Sequence, residues 1–255
     1  MLPHDRIADA LARANKEGRA GLVPFITAGY PDPGKFIETL RAVADSGDVV
    51  ELGVPFSDPM ADGMTIQRSS FVAIENGVTL RWIFDQLDTA GGTIGAPLVM
   101  MSYLNPLLSF GYENLANRAR ETGVCAFIVP DLPLEESDDI RLALDAEGVG
   151  LIQLVTPATP DERLRILAES SRGFLYAVTI TGITGGDVGL PVDLADYLDK
   201  VASISKLPVC AGFGIRTADD VVNVGKHAAG AIVGSALVEV LERGEDPAAF
   251  LKGLR

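Results

Sequence analysis

A glutamate at position 51 interrupts the apolar segment VVELGV, where Val50 and Leu52 flank it. If this segment is a strand of a closed parallel barrel, alternate side chains point inward and helices cover the outer face. The pattern therefore predicts that Glu51 faces the barrel interior. A functional role is favoured there over the alternative, a structural ion pair within the barrel. Burial disfavours the charged carboxylate and raises its pKa toward neutrality, where the group can both donate and accept a proton. Glu51 is thus the candidate general acid and base.

Two aspartates follow Glu51 in the segment PFSDPMADG. Asp58 or Asp62 could orient a substrate N–H or hydroxyl while Glu51 moves the proton, because two carboxylates in different environments can divide such roles. Both aspartates also belong to ordinary turn dipeptides, Asp-Pro and Asp-Gly. Asp131, in the segment VPDLP, has the same two interpretations: contact with a ligand or partner, or turn formation.

Glycines cluster in the segments GFGI (residues 212–215) and GS (residues 234–235), which end the last two apolar runs, and Gly185 and Gly186 precede them. Barrels commonly bind phosphate at this point, through loop N–H groups and the N-terminus of a short helix. Glycine is also needed wherever a strand turns into a helix, whatever the function. The combination at three strand ends favours a phosphate site, and a dianion held by backbone dipoles needs no arginine or lysine.

Four aromatic residues accompany these groups: Phe25, Tyr103, Tyr176 and Phe213. A flat apolar ring could lie among them, with tyrosine hydroxyls at its edges. Each residue taken alone fits an ordinary core position better. The sequence therefore predicts a pocket for an aromatic compound that carries a phosphate, with acid–base chemistry at its centre.

Eight short apolar runs alternate with amphipathic stretches. They are GLVPFITA, DVVELGV, PLVMMSY, CAFIVPD, VGLIQLV, FLYAVT, PVCAGFG and GAIVGS. Runs that are apolar throughout suit parallel strands buried on both faces. Eight strand–helix units in 255 residues favour a (β/α)₈ TIM barrel over an open doubly wound sheet. We expect one domain over residues 1–255, with an extra N-terminal helix at residues 6–17 that caps the closed end.

Local signals place several helices and two long connections. Thr159 and Thr217 each precede a segment with capping-box spacing, and Phe36, Leu40 and Val43 form an apolar stripe at helical spacing. Residues 55–65 and 181–191 are long and rich in turn residues. Because loops after barrel strands build the active site, we expect chemistry there and a lid at 181–191.

Composition excludes several classes of protein. The formal charge is −14, from 21 Lys and Arg against 35 Asp and Glu, and no basic stripe is present. Nucleic acid and anionic membranes are therefore not expected as partners. No apolar run approaches the roughly 20 residues of a membrane span, so a cytoplasmic location is expected. Cys125 and Cys210 lie in apolar runs and should be buried free thiols, while two histidines, His4 and His227, make a His-rich metal site improbable.

The segments VPFITAGYPD, VVELGVPFSDPMADGMTIQ, YLNP, VPDLPLEES, ITGITG, AGFGI and GAIVGSA, in this order, closely resemble the alpha subunit of tryptophan synthase. The resemblance covers essentially the whole chain. It implies a (β/α)₈ barrel that cleaves indole-3-glycerol phosphate by a retro-aldol reaction into indole and glyceraldehyde 3-phosphate, in the last stage of L-tryptophan biosynthesis. It also implies a beta subunit as partner, in an α₂β₂ heterotetramer, which takes up the indole. The alpha chain would carry no cofactor, and pyridoxal phosphate would belong to the beta subunit.

The resemblance also assigns roles to residues. Glu51 matches the general acid and base, Asp62 the carboxylate facing the indole N–H, and Tyr176 a tyrosine near the scissile bond. The remaining matches are the phosphate-binding backbone at Gly185, Gly214, Gly234 and Ser235, the lid residue Thr184, and the indole pocket of Phe25, Met101, Tyr103, Ile128, Leu154 and Phe213. Three positions depart from the family pattern. Met60 and Met64 replace an expected leucine and proline, and Ile180 replaces a basic residue found in some members.

Two other functions share parts of this pattern. A stand-alone indole-3-glycerol-phosphate lyase that releases free indole would use the same residues. A non-enzymatic barrel that only regulates a partner would not require two carboxylates around a neutral ring. A Schiff-base aldolase would need a lysine at the carboxyl end of a strand, whereas Lys206 and Lys226 both precede strands.

Overall fold

The computed structural model describes residues 1–178, 192–212 and 214–255, and these form a ring of parallel strands covered by helices. The strands are β1 (Gly21–Thr27), β2 (Val50–Gly53), β3 (Leu98–Met101), β4 (Val124–Ile128), β5 (Gly150–Ile152), β6 (Leu154–Val155), β7 (Leu175–Val178), β8 (Val209–Gly212) and β9 (Gly230–Val233). The helices are α1 (Asp5–Lys16), α2 (Phe36–Ala44), α3 (Met64–Glu75), α4 (Leu80–Ala90), α5 (Leu104–Phe110), α6 (Tyr112–Thr122), α7 (Asp138–Ala146), α8 (Asp161–Ser170), α9 (Val192–Ile204), α10 (Ala218–Gly225), α11 (Ser235–Glu242) and α12 (Pro247–Gly253).

The strands follow the order β5-β4-β3-β2-β1-β9-β8-β7-β6, and every pairing is parallel. The two ends of this order, β5 and β6, are pieces of one apolar run that Gln153 separates. The sheet therefore nearly closes on itself. Each of the eight predicted runs supplies one strand of the barrel, with β5 and β6 counted as one interrupted strand. The predicted (β/α)₈ barrel with an extra N-terminal helix is confirmed.

Alternate strand residues form two separate apolar layers. On β2, Val50 and Leu52 pack between the sheet and the helices, whereas Val49 packs in the barrel interior. The two neighbours of Glu51 thus point outward, which leaves Glu51 pointing inward, as alternation predicts. The interior layer also contains Cys125 and Cys210, and both are buried free thiols as expected.

Helix α1 closes the amino-terminal end of the barrel. Its residues Ile7, Ala10, Leu11 and Ala14 are buried, and the first three join the interior layer. Leu11 lies directly against the start of the sheet, because a Cβ added to Gly21 would meet Leu11 Cδ2 at 2.5 Å. The predicted helix at residues 6–17 is confirmed within one residue at each end.

Of the three helix signals in the sequence, two are confirmed and one is wrong. Thr217 forms the predicted capping box with Asp220, and the apolar stripe from Phe36 is buried on α2. The prediction for Thr159 is wrong, because α8 begins after Pro160 and Thr159 Oγ1 instead accepts a hydrogen bond from the Thr156 N–H, at 2.9 Å. The hydroxyl closes a turn before the helix and is not available to cap it.

Of the two predicted long connections, the one after β2 lies within the described residues. The loop after β2 ends sooner than expected, since α3 begins at Met64 with Gly63 as its N-cap. The proposed lid at 181–191 and Ile180 lie outside the described residues. A bilayer-spanning helix is not found in the part of the chain that the structure describes.

Leu11→Ala should lower the free energy of unfolding by about 2–5 kcal/mol, because it leaves a cavity where α1 plugs the barrel. Leu142→Ala is the matched control, since Leu142 on α7 is 71% exposed and should change stability by less than about 0.5 kcal/mol. Urea unfolding followed by circular dichroism measures both. Equal effects of the two substitutions would show that α1 does not plug the barrel.

Candidate active site

A cavity of about 270 Å³ opens at the carboxyl ends of the strands. Its described lining is Phe25, Glu51, Ala61, Asp62, Gly63, Ile66, Met101, Pro130, Leu154, Tyr176, Val178, Gly212, Gly214, Ile215, Arg216, Ile232, Gly234, Ser235 and Ala236. Side chains from six strands and three loops meet here because all strands run in one direction. Loops that follow parallel strands therefore share one rim.

Glu51 lies at the floor of the cavity. It pairs in register with Phe25 on β1 and Val99 on β3, and it is 1% exposed. Among the described residues, no group forms a hydrogen bond with Glu51 Oε2. Burial, with a smaller contribution from the charge of Asp62, raises the pKa of Glu51 to about 8. The carboxyl is therefore mostly protonated at neutral pH and is ready to donate a proton.

Asp62 lies above Glu51, in the loop between β2 and α3. The Gln67 side-chain amide donates a hydrogen bond to the Asp62 carbonyl, at 2.8 Å, and so fixes the backbone of the loop. Burial raises the pKa of Asp62 to about 6, and a hydrogen bond with Tyr103 opposes this rise. Asp62 is therefore mainly a carboxylate at neutral pH, in contrast to Glu51.

Tyr103 supports the loop that contains Asp62. Its ring stacks on Phe56, with 4.9 Å between the ring centroids, and its hydroxyl accepts a hydrogen bond from the Ala61 N–H at 2.8 Å. Burial and the nearby charge of Asp62 raise the pKa of Tyr103 to about 12, so the hydroxyl keeps its proton. Tyr103 thus positions Asp62, and its place in the indole pocket stays a prediction.

Tyr176 projects from β7 beside Glu51. Burial, followed by the charges of Glu51, Cys210 and Asp62, raises the pKa of Tyr176 well above its ordinary value. Its ring crosses β8 at Gly212, where an added Cβ would lie 2.6 Å from the Tyr176 hydroxyl oxygen. A side chain at position 212 would displace the tyrosine, so glycine there is a packing requirement. The hydroxyl is a neutral donor next to the proposed acid and base.

The opposite end of the cavity is built from backbone. Gly214 follows β8 with φ +45°, and Gly234 and Ser235 lie where β9 turns into α11. The first N–H groups of α11 lack partners within the helix and carry the positive end of its dipole. The nearest described atom to a Cβ built on Gly234 would be Phe25 Cβ, at 3.9 Å. Glycine therefore leaves open space beside the helix N-terminus, as an anion site requires.

The structure brings together most of the predicted site residues. Phe25, Met101 and Leu154 line the cavity as the aromatic pocket requires. Ile128 does not, because it is fully buried in the barrel interior below the cavity. Phe213, Thr184 and Gly185 lie outside the described residues.

The other acidic candidates are not part of the cavity. Asp58 is exposed and accepts a hydrogen bond from the Ser57 hydroxyl, at 2.5 Å. Asp131 accepts one from the Leu104 N–H at the start of α5, at 2.9 Å. Each aspartate therefore makes a local hydrogen bond outside the cavity. In the described part of the chain, no group of three or more His, Cys, Asp or Glu could hold a metal ion.

The lining residues that were not predicted from the sequence include Ile66, Pro130, Ile232 and Arg216. Ile66 lies on the first turn of α3, and Ile232 lies on β9 within a continuous apolar run. Apolar residues of this kind carry no signal that separates a cavity wall from the core. Arg216 does have such a signal in the sequence, because it follows the glycine turn at a predicted phosphate site.

Comparison with known proteins agrees with this geometry. A family model described as tryptophan synthase alpha chain matches residues 11–252. The chain is 42% identical to the tryptophan synthase alpha chain of Nitratidesulfovibrio vulgaris (strain DP4), over 97% of this chain and 96% of that one. It is 43% identical to that of Roseiflexus castenholzii, over 93% and 92%.

Solved structures are similar over the whole fold. Tryptophan synthase subunit alpha from Legionella pneumophila str. Paris superposes with a TM-score of 0.88 at 32% identity, covering 100% of this chain and 97% of that one. Tryptophan synthase from M. tuberculosis, in an open form with BRD0059 bound, gives a TM-score of 0.88 at 30% identity, covering 98% and 96%.

Glu51→Gln should stabilise the fold at alkaline pH. An acid whose folded pKa lies above its unfolded pKa contributes stability that is complete below the unfolded value and is lost as pH rises through the folded value. With a folded pKa of about 8, the wild type should lose about 1.4 kcal/mol for each pH unit within the window from about 4.5 to 8. Glu51→Gln removes this loss.

Urea unfolding at pH 5 and pH 8 measures the difference. Glu51→Gln should exceed the wild type by a few kcal/mol at pH 8 and by much less at pH 5, whereas the exposed control Glu75→Gln should follow the wild type at both. A constant difference between Glu51→Gln and wild type would refute a raised pKa.

Proposed function

The chain belongs to the tryptophan synthase alpha chain family and is a lyase of tryptophan biosynthesis, and from this premise we propose the roles of its residues in cleaving indole-3-glycerol phosphate. The products are indole and glyceraldehyde 3-phosphate. The observation that carries the proposal is the pair of carboxyl groups in one cavity. Glu51 is mostly protonated and Asp62 is mostly ionised at neutral pH, and Gly214, Gly234 and Ser235 line the opposite end of the cavity.

Cleavage requires that the bond between indole C3 and the glycerol carbon break. Protonated Glu51 donates its proton to C3, and the indole nitrogen becomes positively charged. Asp62 stabilises this charge through the indole N–H, because its carboxylate lies in a partly desolvated site where electrostatic interactions are strong. The charge grows only on approach to the transition state, so the interaction accelerates the reaction.

The second proton transfer regenerates Glu51. As the C–C bond breaks, its electrons neutralise the ring nitrogen and the glycerol hydroxyl becomes an aldehyde. The Glu51 carboxylate accepts the hydroxyl proton, so the carboxyl group ends as it began. A pKa of about 8 suits this exchange, because a group that titrates near neutral pH can both donate and accept a proton there. The neutral Tyr176 hydroxyl donates a hydrogen bond toward the same glycerol oxygens.

The substrate phosphate is proposed to bind at Gly214, Gly234 and Ser235. The φ of +45° at Gly214 and the open space beside Gly234 support close approach of an anion to backbone N–H groups. The same proposal includes Gly185 and Thr184 on the lid, and Phe213 beside the ring. Between the two ends, Phe25, Met101 and Leu154 enclose the indole.

The proposed partner is a tryptophan synthase beta subunit in an α₂β₂ heterotetramer, with pyridoxal phosphate on the beta subunit and no cofactor on this chain. The rim loop that holds Asp62 supports this assignment, because Met60 beside it is 94% exposed. Such a large apolar side chain at the cavity rim is suited to a protein contact. A partner that orders this loop would also order Asp62. A cytoplasmic location is proposed as well, in keeping with the free thiols of Cys125 and Cys210.

Glu51→Gln should reduce the turnover of indole-3-glycerol phosphate by about 100-fold or more, because the amide cannot transfer the proton. Asp62→Asn should lower kcat more than it raises KM, since the charge on the indole nitrogen develops in the transition state. Aldehyde and indole formation by the full chain are measured with and without beta subunit. Glu75→Gln, an exposed glutamate at the end of α3, is the control and should retain wild-type turnover. Near-normal kcat in Glu51→Gln would contradict the mechanism.

A further inference from the structure

The charge of the active-site cavity presents a problem for a phosphorylated substrate. Asp62, which is mainly ionised at neutral pH, lines it, and the whole chain has a formal charge of −14. Among the described lining residues, Arg216 is the one Lys or Arg. A phosphate dianion that enters this cavity is repelled by the net charge of the protein. A single cation at the phosphate end of the cavity offsets this repulsion locally.

Arg216 lies at the phosphate end. It follows Gly214 by two residues in the loop between β8 and α10. Its N–H and that of Thr217 both donate to Asp220 Oδ2, each at 2.9 Å. The capping box of α10 therefore fixes the backbone of Arg216 beside the glycine turn.

The guanidinium of Arg216 is held by a second element. Its Nη1 and Nη2 donate to the two carboxylate oxygens of Glu239, at 2.8 and 3.0 Å. Glu239 lies on α11, four residues after Ser235, so the helix that begins at the proposed phosphate site also holds the arginine. Thr65 at the start of α3 donates a weaker hydrogen bond to the same carboxylate, at 3.4 Å.

This arrangement leaves Arg216 able to bind a further anion. A bidentate pair uses two of the five N–H donors of a guanidinium. The Arg216 side chain is 48% exposed and Glu239 26%, so the arginine is the more accessible member of the pair. Arg216 lines the cavity, whereas Glu239 is not among its described lining residues. The pair restricts the rotamers of Arg216 without enclosing it.

We propose that Arg216 is a substrate-binding residue that contacts the phosphate, or holds positive charge against it, and so selects phosphorylated over unphosphorylated ligands. The inference rests on the proposed function, since it names a further group for the same phosphate. It adds a side-chain cation to a site otherwise built from backbone N–H groups. Glu239 acts as its positioning residue from α11.

Three variants test the proposal. Arg216→Gln removes the charge, Arg216→Lys keeps the charge without the planar fork, and Arg243→Gln is the control. Arg243 also pairs with a glutamate, Glu245, on the exposed surface beyond the end of α11, so its removal changes net charge equally. Calorimetry measures the Kd of glycerol 3-phosphate and of indole, and steady-state kinetics with indole-3-glycerol phosphate measures KM and kcat.

For Arg216→Gln, the Kd of glycerol 3-phosphate and the KM of the substrate should both rise about tenfold, the scale of one charge-assisted hydrogen bond. The Kd of indole and kcat should change by less than about twofold. Arg216→Lys should be intermediate, because it cannot bind in the bidentate geometry. Arg243→Gln should match the wild type.

Unchanged phosphate affinity in Arg216→Gln, or equal weakening in Arg243→Gln, would overturn the proposal. A structural role alone would weaken indole binding as well, and this result would also count against it. Failure of the proposed reaction can be distinguished from failure of the proposed role of Arg216. If the wild type binds glycerol 3-phosphate but forms no aldehyde, the proposed reaction fails while the affinities still decide the role of Arg216.

Discussion

The desolvated carboxyl group of Glu51 sets the conditions for the rest of the site. A carboxylate deep in the barrel is unfavourable, and one of its oxygens has no hydrogen-bond partner among the described residues, so the group is protonated near neutral pH. Asp62 increases this preference through its own charge. One acid is thus kept neutral and the other ionised, which is the division that protonation of a ring carbon and stabilisation of its cation require.

The barrel makes this division possible because it places the two acids in different surroundings. Glu51 projects from a strand into a dry interior that α1 seals from below, so solvent reaches it from the cavity side. Asp62 projects from a rim loop whose backbone is fixed by hydrogen bonds with Tyr103 and Gln67. At the rim it is closer to solvent than Glu51 is. Phosphate binding requires neither acid. The proposed phosphate site lies across the cavity at the start of α11, where helix N–H groups and Arg216 would supply positive potential.

Much of this arrangement could be predicted from the sequence because it depends on local pattern. Continuous apolar runs and their number specify a parallel barrel, and alternation about Glu51 specifies its inward direction. The remaining features depend on contacts between distant segments. Thr159 has the spacing of a cap but bonds within a preceding turn, and Tyr103 supports the loop of Asp62 through a hydrogen bond to the Ala61 N–H. The backbone of Arg216 is fixed by the local capping box, but its guanidinium is oriented by Glu239 on another helix, which no local pattern specifies.

The central claim is that Glu51 is protonated at neutral pH because the barrel desolvates it. Carbon-13 NMR of the full chain with labelled glutamate carboxyl groups, assigned by the signal lost in Glu51→Gln, gives its titration directly. The account predicts a midpoint near pH 8 that moves lower in Asp62→Asn, where the neighbouring negative charge is absent. A midpoint in the ordinary range of glutamate, near pH 4 to 5 and unaffected by Asp62→Asn, would contradict it.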